Sequence, residues 1–98
     1  MRRLLLLLAT LLLLPTVAHA QSVLLIYDTT GDGTPALQAA LTGAGYSVTL
    51  SNTSETAYNG TNPAPSGFDA VIHLNGPTYA TAMPASGRSA LITYVQNG

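Results

Sequence analysis

The 98-residue chain contains no cysteine, and its basic residues number three against four acidic ones. The missing thiol excludes disulfide staples, cysteine-ligated metals and thiol nucleophiles from this chain. Positive charge is scarcer still beyond residue 20. There Arg88 stands alone against Asp28, Asp32, Glu55 and Asp69, a net charge of −3. Such a surface has nothing with which to neutralise phosphates, which argues against nucleic acid and anionic membranes as partners. No Gly-x-Ser-x-Gly elbow is present either, because Ala85-Ser86-Gly87-Arg88-Ser89 does not fit the serine-hydrolase pattern.

What is present first is an export signal. Arg2 and Arg3 form a positive n-region, and Leu4 to Leu14, interrupted by Ala9 and Thr10, forms an apolar core. Pro15 breaks that segment, and Ala18-His19-Ala20 supplies a small-x-small cleavage site at Ala18 and Ala20. The apolar run is about 11 residues, whereas a membrane span takes about 20, so no stable anchor is expected after cleavage. The paired arginines lack the rest of a twin-arginine signal. With no cysteine after the apolar core, lipid anchoring is excluded. Residues 1–20 are therefore expected to direct general secretion to the periplasm or the exterior. Cleavage leaves 78 residues, a size at which a core is marginal without a staple.

The remaining segment, 21–98, alternates strand and helix patterns. Ser22 to Asp28 is a continuous apolar run ending in polar residues, which suits a strand buried on both faces of a parallel sheet. Thr34-Pro35 reads as a helix start, with the hydroxyl at N-cap and proline at the first helical position. Leu37, Ala40, Leu41 and Ala44 give that helix an apolar face, and Gly43 or Gly45 ends it. Tyr46, Val48 and Leu50 alternate with Ser47, Thr49 and Ser51, the pattern of a strand nearer a sheet edge. Asn52 to Gly67, rich in Ser, Thr, Asn, Pro and Gly, predicts a long surface loop. Phe68 to Leu74 predicts a third strand, and Pro84 to Gln96 a second helix with Leu91, Tyr94 and Val95 on one face. Right-handed crossovers place the first strand between the other two, giving an α/β sheet of order 2-1-3. This is a partial flavodoxin-like sheet with flanking helices. A further strand is expected after the last helix, so the domain is expected to be truncated, with an open sheet edge available for self-association.

Val23-Leu24-Leu25-Ile26-Tyr27-Asp28, the helix 37–45 and Tyr46-Ser47-Val48-Thr49-Leu50 resemble the start of class I glutamine amidotransferase-like domains, nearest the ThuA-like branch. Phe68-Asp69-Ala70-Val71-Ile72 and the helix ending Tyr94-Val95-Gln96-Asn97-Gly98 extend the resemblance over nearly all of the segment after the leader. It implies the fold more than the activity. Amidotransferases of that superfamily use a cysteine on a strand-to-helix elbow with a downstream histidine and acid. Here no cysteine exists, and the elbow position would lie beyond Gly98. No catalytic residue, metal or cofactor is therefore assigned. Two functions remain open. The chain is an exported non-catalytic module or fragment of such a protein, or it is the N-terminal half of a ThuA-like enzyme acting on a small sugar or related metabolite.

The crevice beyond the carboxyl ends of the first and third strands is the default ligand site of such a sheet. It nominates Asp28, Thr29 and Thr30 from one loop, and His73 and Asn75 from the other. Each also suits an ordinary turn or cap. Asp28-Thr29-Thr30-Gly31-Asp32-Gly33 superficially resembles a calcium loop. However, Thr30 replaces the acidic or amide third ligand, and Ala39 stands where the closing glutamate belongs. A glycine-permitted turn is the better reading. His73, paired with Asp28 or Asp32, could bind a metal or serve as a base. But two or three groups do not make a site, and a strand-end histidine reads more simply as a hydrogen-bonded one. Asn52-Thr53-Ser54 and Asn59-Gly60-Thr61 match glycosylation acceptors but read more simply as polar loop residues.

Overall fold

The computed structural model describes residues 20–31 and 33–98. Residues 1–19, on which the expected export signal and Ala18 fall, and Asp32 of the glycine-rich loop lie outside the described residues. Along the chain run β1 (Ser22–Ile26), α1 (Thr34–Gly43), β2 (Ser47–Leu50), a 3-10 turn (Pro65–Gly67), β3 (Ala70–His73) and α2 (Ala85–Gln96). The three strands form one parallel sheet in the order β2-β1-β3. Leu24 lies opposite Thr49 on one side and Val71 on the other. Among the described residues, no helix is long and apolar enough to cross a membrane.

The continuous apolar run of β1 is explained by its position. Leu24, Leu25 and Ile26 are 0 % exposed and Val23 is 3 % exposed. Leu24 and Ile26 join Tyr58 and Met83 in a core that Phe68, Val71 and Leu91 extend. Val23 and Leu25 alternate onto the opposite face. Full burial of each such side chain stabilises by about 1.5–3 kcal/mol, so β1 carries much of the fold's apolar stabilisation.

Polar groups fix where the strands begin. The Ser22 N–H and hydroxyl donate to the Asp69 carboxylate at 2.8 and 3.2 Å, while the Asp69 N–H donates to the Ser22 carbonyl at 2.9 Å. A one-residue slip of β3 would break these bonds and reverse its faces. Past the other end, the amides of Ser51 and Leu74 donate to the carbonyls of Leu25 and Ile26.

Four details depart from the sequence reading. Segment 52–67 is not simply a surface loop: Glu55, Tyr58, Gly60 and Pro65 are buried. No α-helix lies between β2 and β3, so Tyr58 covers Leu24 and Ile26 instead, its hydroxyl donating to the Pro63 carbonyl at 2.7 Å. β3 is shorter than 68–74, and Val71 and Ile72 are only half-buried, because β3 pairs with β1 alone. Thr34 is the first helical residue of α1 rather than its cap. Gly33 takes the cap with φ +80°, and the Thr34 hydroxyl donates to the Thr29 carbonyl at 2.8 Å. On α2, Leu91 and Tyr94 are half-buried, but Val95 is 76 % exposed. The Tyr94 hydroxyl pins α2 to the Phe68 carbonyl at 2.9 Å.

Contact between α2 and the 52–67 segment depends on one helical glycine. A Cβ on Gly87 would run into the Tyr58 carbonyl oxygen and stand 2.9 Å from Met83 Sδ. Glycine inside a helix is intrinsically unfavourable, and here the close approach of backbone to backbone requires it. We expect Gly87→Ala to destabilise the protein by about 1–3 kcal/mol in urea unfolding, despite alanine's better helix propensity. An unchanged or raised stability would show that the two segments do not touch.

Burial pushes the Tyr58 phenol above its ordinary value of 10.0. In the unfolded chain that phenol ionises first, so above pH 10 the unfolded state binds fewer protons and stability falls as pH rises. Urea midpoints measured between pH about 9 and about 11 should fall more steeply for the natural protein than for Tyr58→Phe, which has no phenol to ionise.

Candidate strand-end site

The carboxyl ends of the strands bring together residues from three connections. Just past β2, the Glu55 amide donates to the Tyr27 carbonyl at 2.7 Å, and this draws the start of the long connection over the end of β1. Glu55 is consequently 4 % exposed, a costly position for a carboxylate without a partner. Its partner is His73, the last residue of β3, whose Nε2 contacts Glu55 Oε2. With the imidazole protonated this is an ion pair; with it neutral, a hydrogen bond. The sequence had suggested Asp28 or Asp32 as the histidine's acidic neighbour. Glu55 takes that place, because the β2 connection rather than the β1 loop folds over the end of β3.

Asp28 has a different task. It is 6 % exposed and accepts two hydrogen bonds from Thr78: the N–H reaches Oδ2 at 2.7 Å and the hydroxyl reaches Oδ1 at 2.5 Å. This two-point clasp holds the turn after β3 onto the end of β1. Asp28 therefore orders the rim of the strand ends.

Next to the clasp lies an open groove of about 400 Å³ between the end of β3 and the first turns of α2. Glu55, His73 and Asn75 form its polar wall, and Arg88 reaches it from α2. Tyr79, Met83, Leu91 and Ile92 supply apolar surface. Of the residues nominated from sequence, His73 and Asn75 therefore meet in this groove. Asp28 is turned to Thr78, the Thr29 carbonyl receives the Thr34 hydroxyl, and Thr30 is exposed. Among the described residues, no cluster of three or more His, Cys, Asp or Glu is placed to hold a metal ion. In the first glycosylation-like triplet Asn52 is exposed; in the second the exposed Asn59 uses its side-chain oxygen to accept from the Thr61 N–H and hydroxyl, closing a turn.

Glu55, Thr78 and Arg88 were not legible as site residues. The one available signal was that Glu55 is the sole charge in the otherwise uncharged stretch 52–67. No family model, curated protein or solved structure matches the chain.

If the clasp holds the turn as described, Thr78→Val should remove one bond to a charged group and leave Asp28 Oδ1 without its donor. The expected loss is about 1.5–3 kcal/mol in urea unfolding, with faster proteolytic nicking within 76–81. Unchanged stability and nicking would place Asp28 outside the structural framework.

Proposed function

We propose that this chain is an exported, non-catalytic α/β module related to the N-terminal, flavodoxin-like part of class I glutamine amidotransferase-like proteins of the ThuA-like branch. In this reading it binds a small metabolite at the ends of its strands. The observation that carries the proposal is the convergence of buried Glu55 with His73 and Asn75 beside the carboxyl ends of β1 and β3, in a parallel sheet of order 2-1-3. Open α/β sheets hold ligands at that point. A groove of about 400 Å³ falls within the range typical of small-molecule sites.

Residues 1–98 carry no thiol, so we assign them binding rather than the superfamily's glutamine hydrolysis. Export rests on Arg2-Arg3, the apolar run Leu4 to Leu14 and Ala18-His19-Ala20. The Glu55–His73 pair also favours a second reading. A histidine oriented by a carboxylate is a common acid–base arrangement, so the same groove would serve one half of a ThuA-like enzyme acting on a small sugar. The outer edge of β3, unpaired among the described residues, is the surface we assign to self-association.

Expression of the whole chain in a secreting bacterial host tests the reading in two steps. The exported protein should have a mass beginning at Gln21; an uncleaved cytosolic product would contradict the export assignment. Backbone amide NMR spectra of that protein, titrated with a panel of small sugars and organic acids, should then shift at Glu55, His73, Asn75 and Tyr79. No response to any member of the panel would contradict the binding role.

A further inference from the structure

The charges around the groove narrow the ligand further than its size does. Among the described residues, Arg88 is the only lysine or arginine and His73 the only histidine, and both line this one groove. The three carboxylate side chains among the described residues are already engaged. Asp28 accepts from Thr78, Asp69 accepts from Ser22 at the opposite end of the sheet, and Glu55 contacts His73. No carboxylate among the described residues forms an ion pair with Arg88, and the first turn of α2 contains no acidic residue. With the imidazole protonated the Glu55–His73 pair is neutral overall; with it neutral the pair keeps the carboxylate's single negative charge, which His73 and not Arg88 contacts. In either state the Arg88 guanidinium has no carboxylate partner among the described residues, and it is their only permanently positive side chain.

The rest of the lining is apolar. Met83 is buried, Leu91 half-buried, and Ile92 and Tyr79 are 58 % and 77 % exposed. Large apolar side chains left open beside a lone guanidinium call for a ligand with both characters.

We infer that the groove binds a small monocarboxylate with an apolar body. Its carboxylate is held by the forked Arg88 guanidinium, and its body lies against Tyr79, Leu91 and Ile92. An arginine fork matches a carboxylate with two parallel N–H···O bonds. One unpaired guanidinium suits a monoanion better than a phosphate dianion, whose second negative charge would be brought toward the Glu55 carboxylate. The inference rests on the reading of the strand-end groove as a binding site and adds its ligand class.

Phenylacetate and its neutral isostere phenylacetamide separate the charge from the shape. Titrated into the exported protein and followed by amide NMR, phenylacetate should bind at least about tenfold more tightly than the amide, with shifts centred on Tyr79, Arg88 and Leu91. Arg88→Gln should reduce that ratio to about one, and Arg88→Lys should leave an intermediate value. Arg88 is exposed and unpaired with any described carboxylate, so both variants should keep the natural circular dichroism spectrum. Equal binding of acid and amide would overturn the inference while leaving the groove a binding site. Tighter binding of inorganic phosphate than of phenylacetate would overturn the ligand class. Failure of both phenyl compounds, while another member of the panel binds, would overturn the inference alone; silence from every compound would remove the binding site with it.

Discussion

Everything in this molecule is organised around the pairing of β1 on both of its edges at once. One edge of the strand is bonded to β2 and the other to β3, and both faces are closed to water at Leu24, Leu25 and Ile26. In a chain this small, with no disulfide, few other sources of order are available. The Ser22–Asp69 bonds set the register of β3 against β1, and the register determines which residues emerge at the far end. The proximity of His73 to the Glu55 carboxylate follows from that alignment.

The strand-end site is thus a by-product of satisfying the sheet's ends. β1 stops at Ile26, and the Tyr27 carbonyl that follows captures the Glu55 amide. Asp28, next along, captures Thr78. These neighbouring residues draw two separate connections over the sheet, one from β2 and one from β3. The groove forms where the second connection turns back toward α2. Close seating of α2 in turn depends on Gly87, which lets the helix touch the Tyr58 backbone. Packing on one face of the sheet and polar geometry at its end are therefore consequences of the same few contacts.

Much of this architecture can be read from local pattern. The uninterrupted Val23 to Ile26 run announces a central strand, and the alternation of Val48 and Leu50 with Ser47 and Thr49 announces an edge. Parallel order 2-1-3 follows from those assignments and the handedness of crossovers. The burial of Tyr58 and Glu55 is not legible in the same way. Both sit among Ser, Thr, Asn and Gly, whose composition signals a solvated loop. Their burial comes from long-range partners: Leu24 and Ile26 for the ring, the Tyr27 carbonyl and His73 for the glutamate. His73 and Asn75 were legible because strand ends can be located from sequence. Arg88 was not: its helical spacing from Leu91 is legible, but that this part of the helix borders the strand ends is set by long-range packing.

The parallel placement of β1 between β2 and β3 is tested most directly by inter-strand backbone NOEs in the isotopically labelled protein. Contacts in the register Leu24 with Thr49 and Leu24 with Val71, continuing in the same direction at Leu25 with Leu50 and with Ile72, are the expected result. Contacts running in opposite directions, or the absence of any between segments 22–26 and 70–73, would contradict both the sheet and the site built on it.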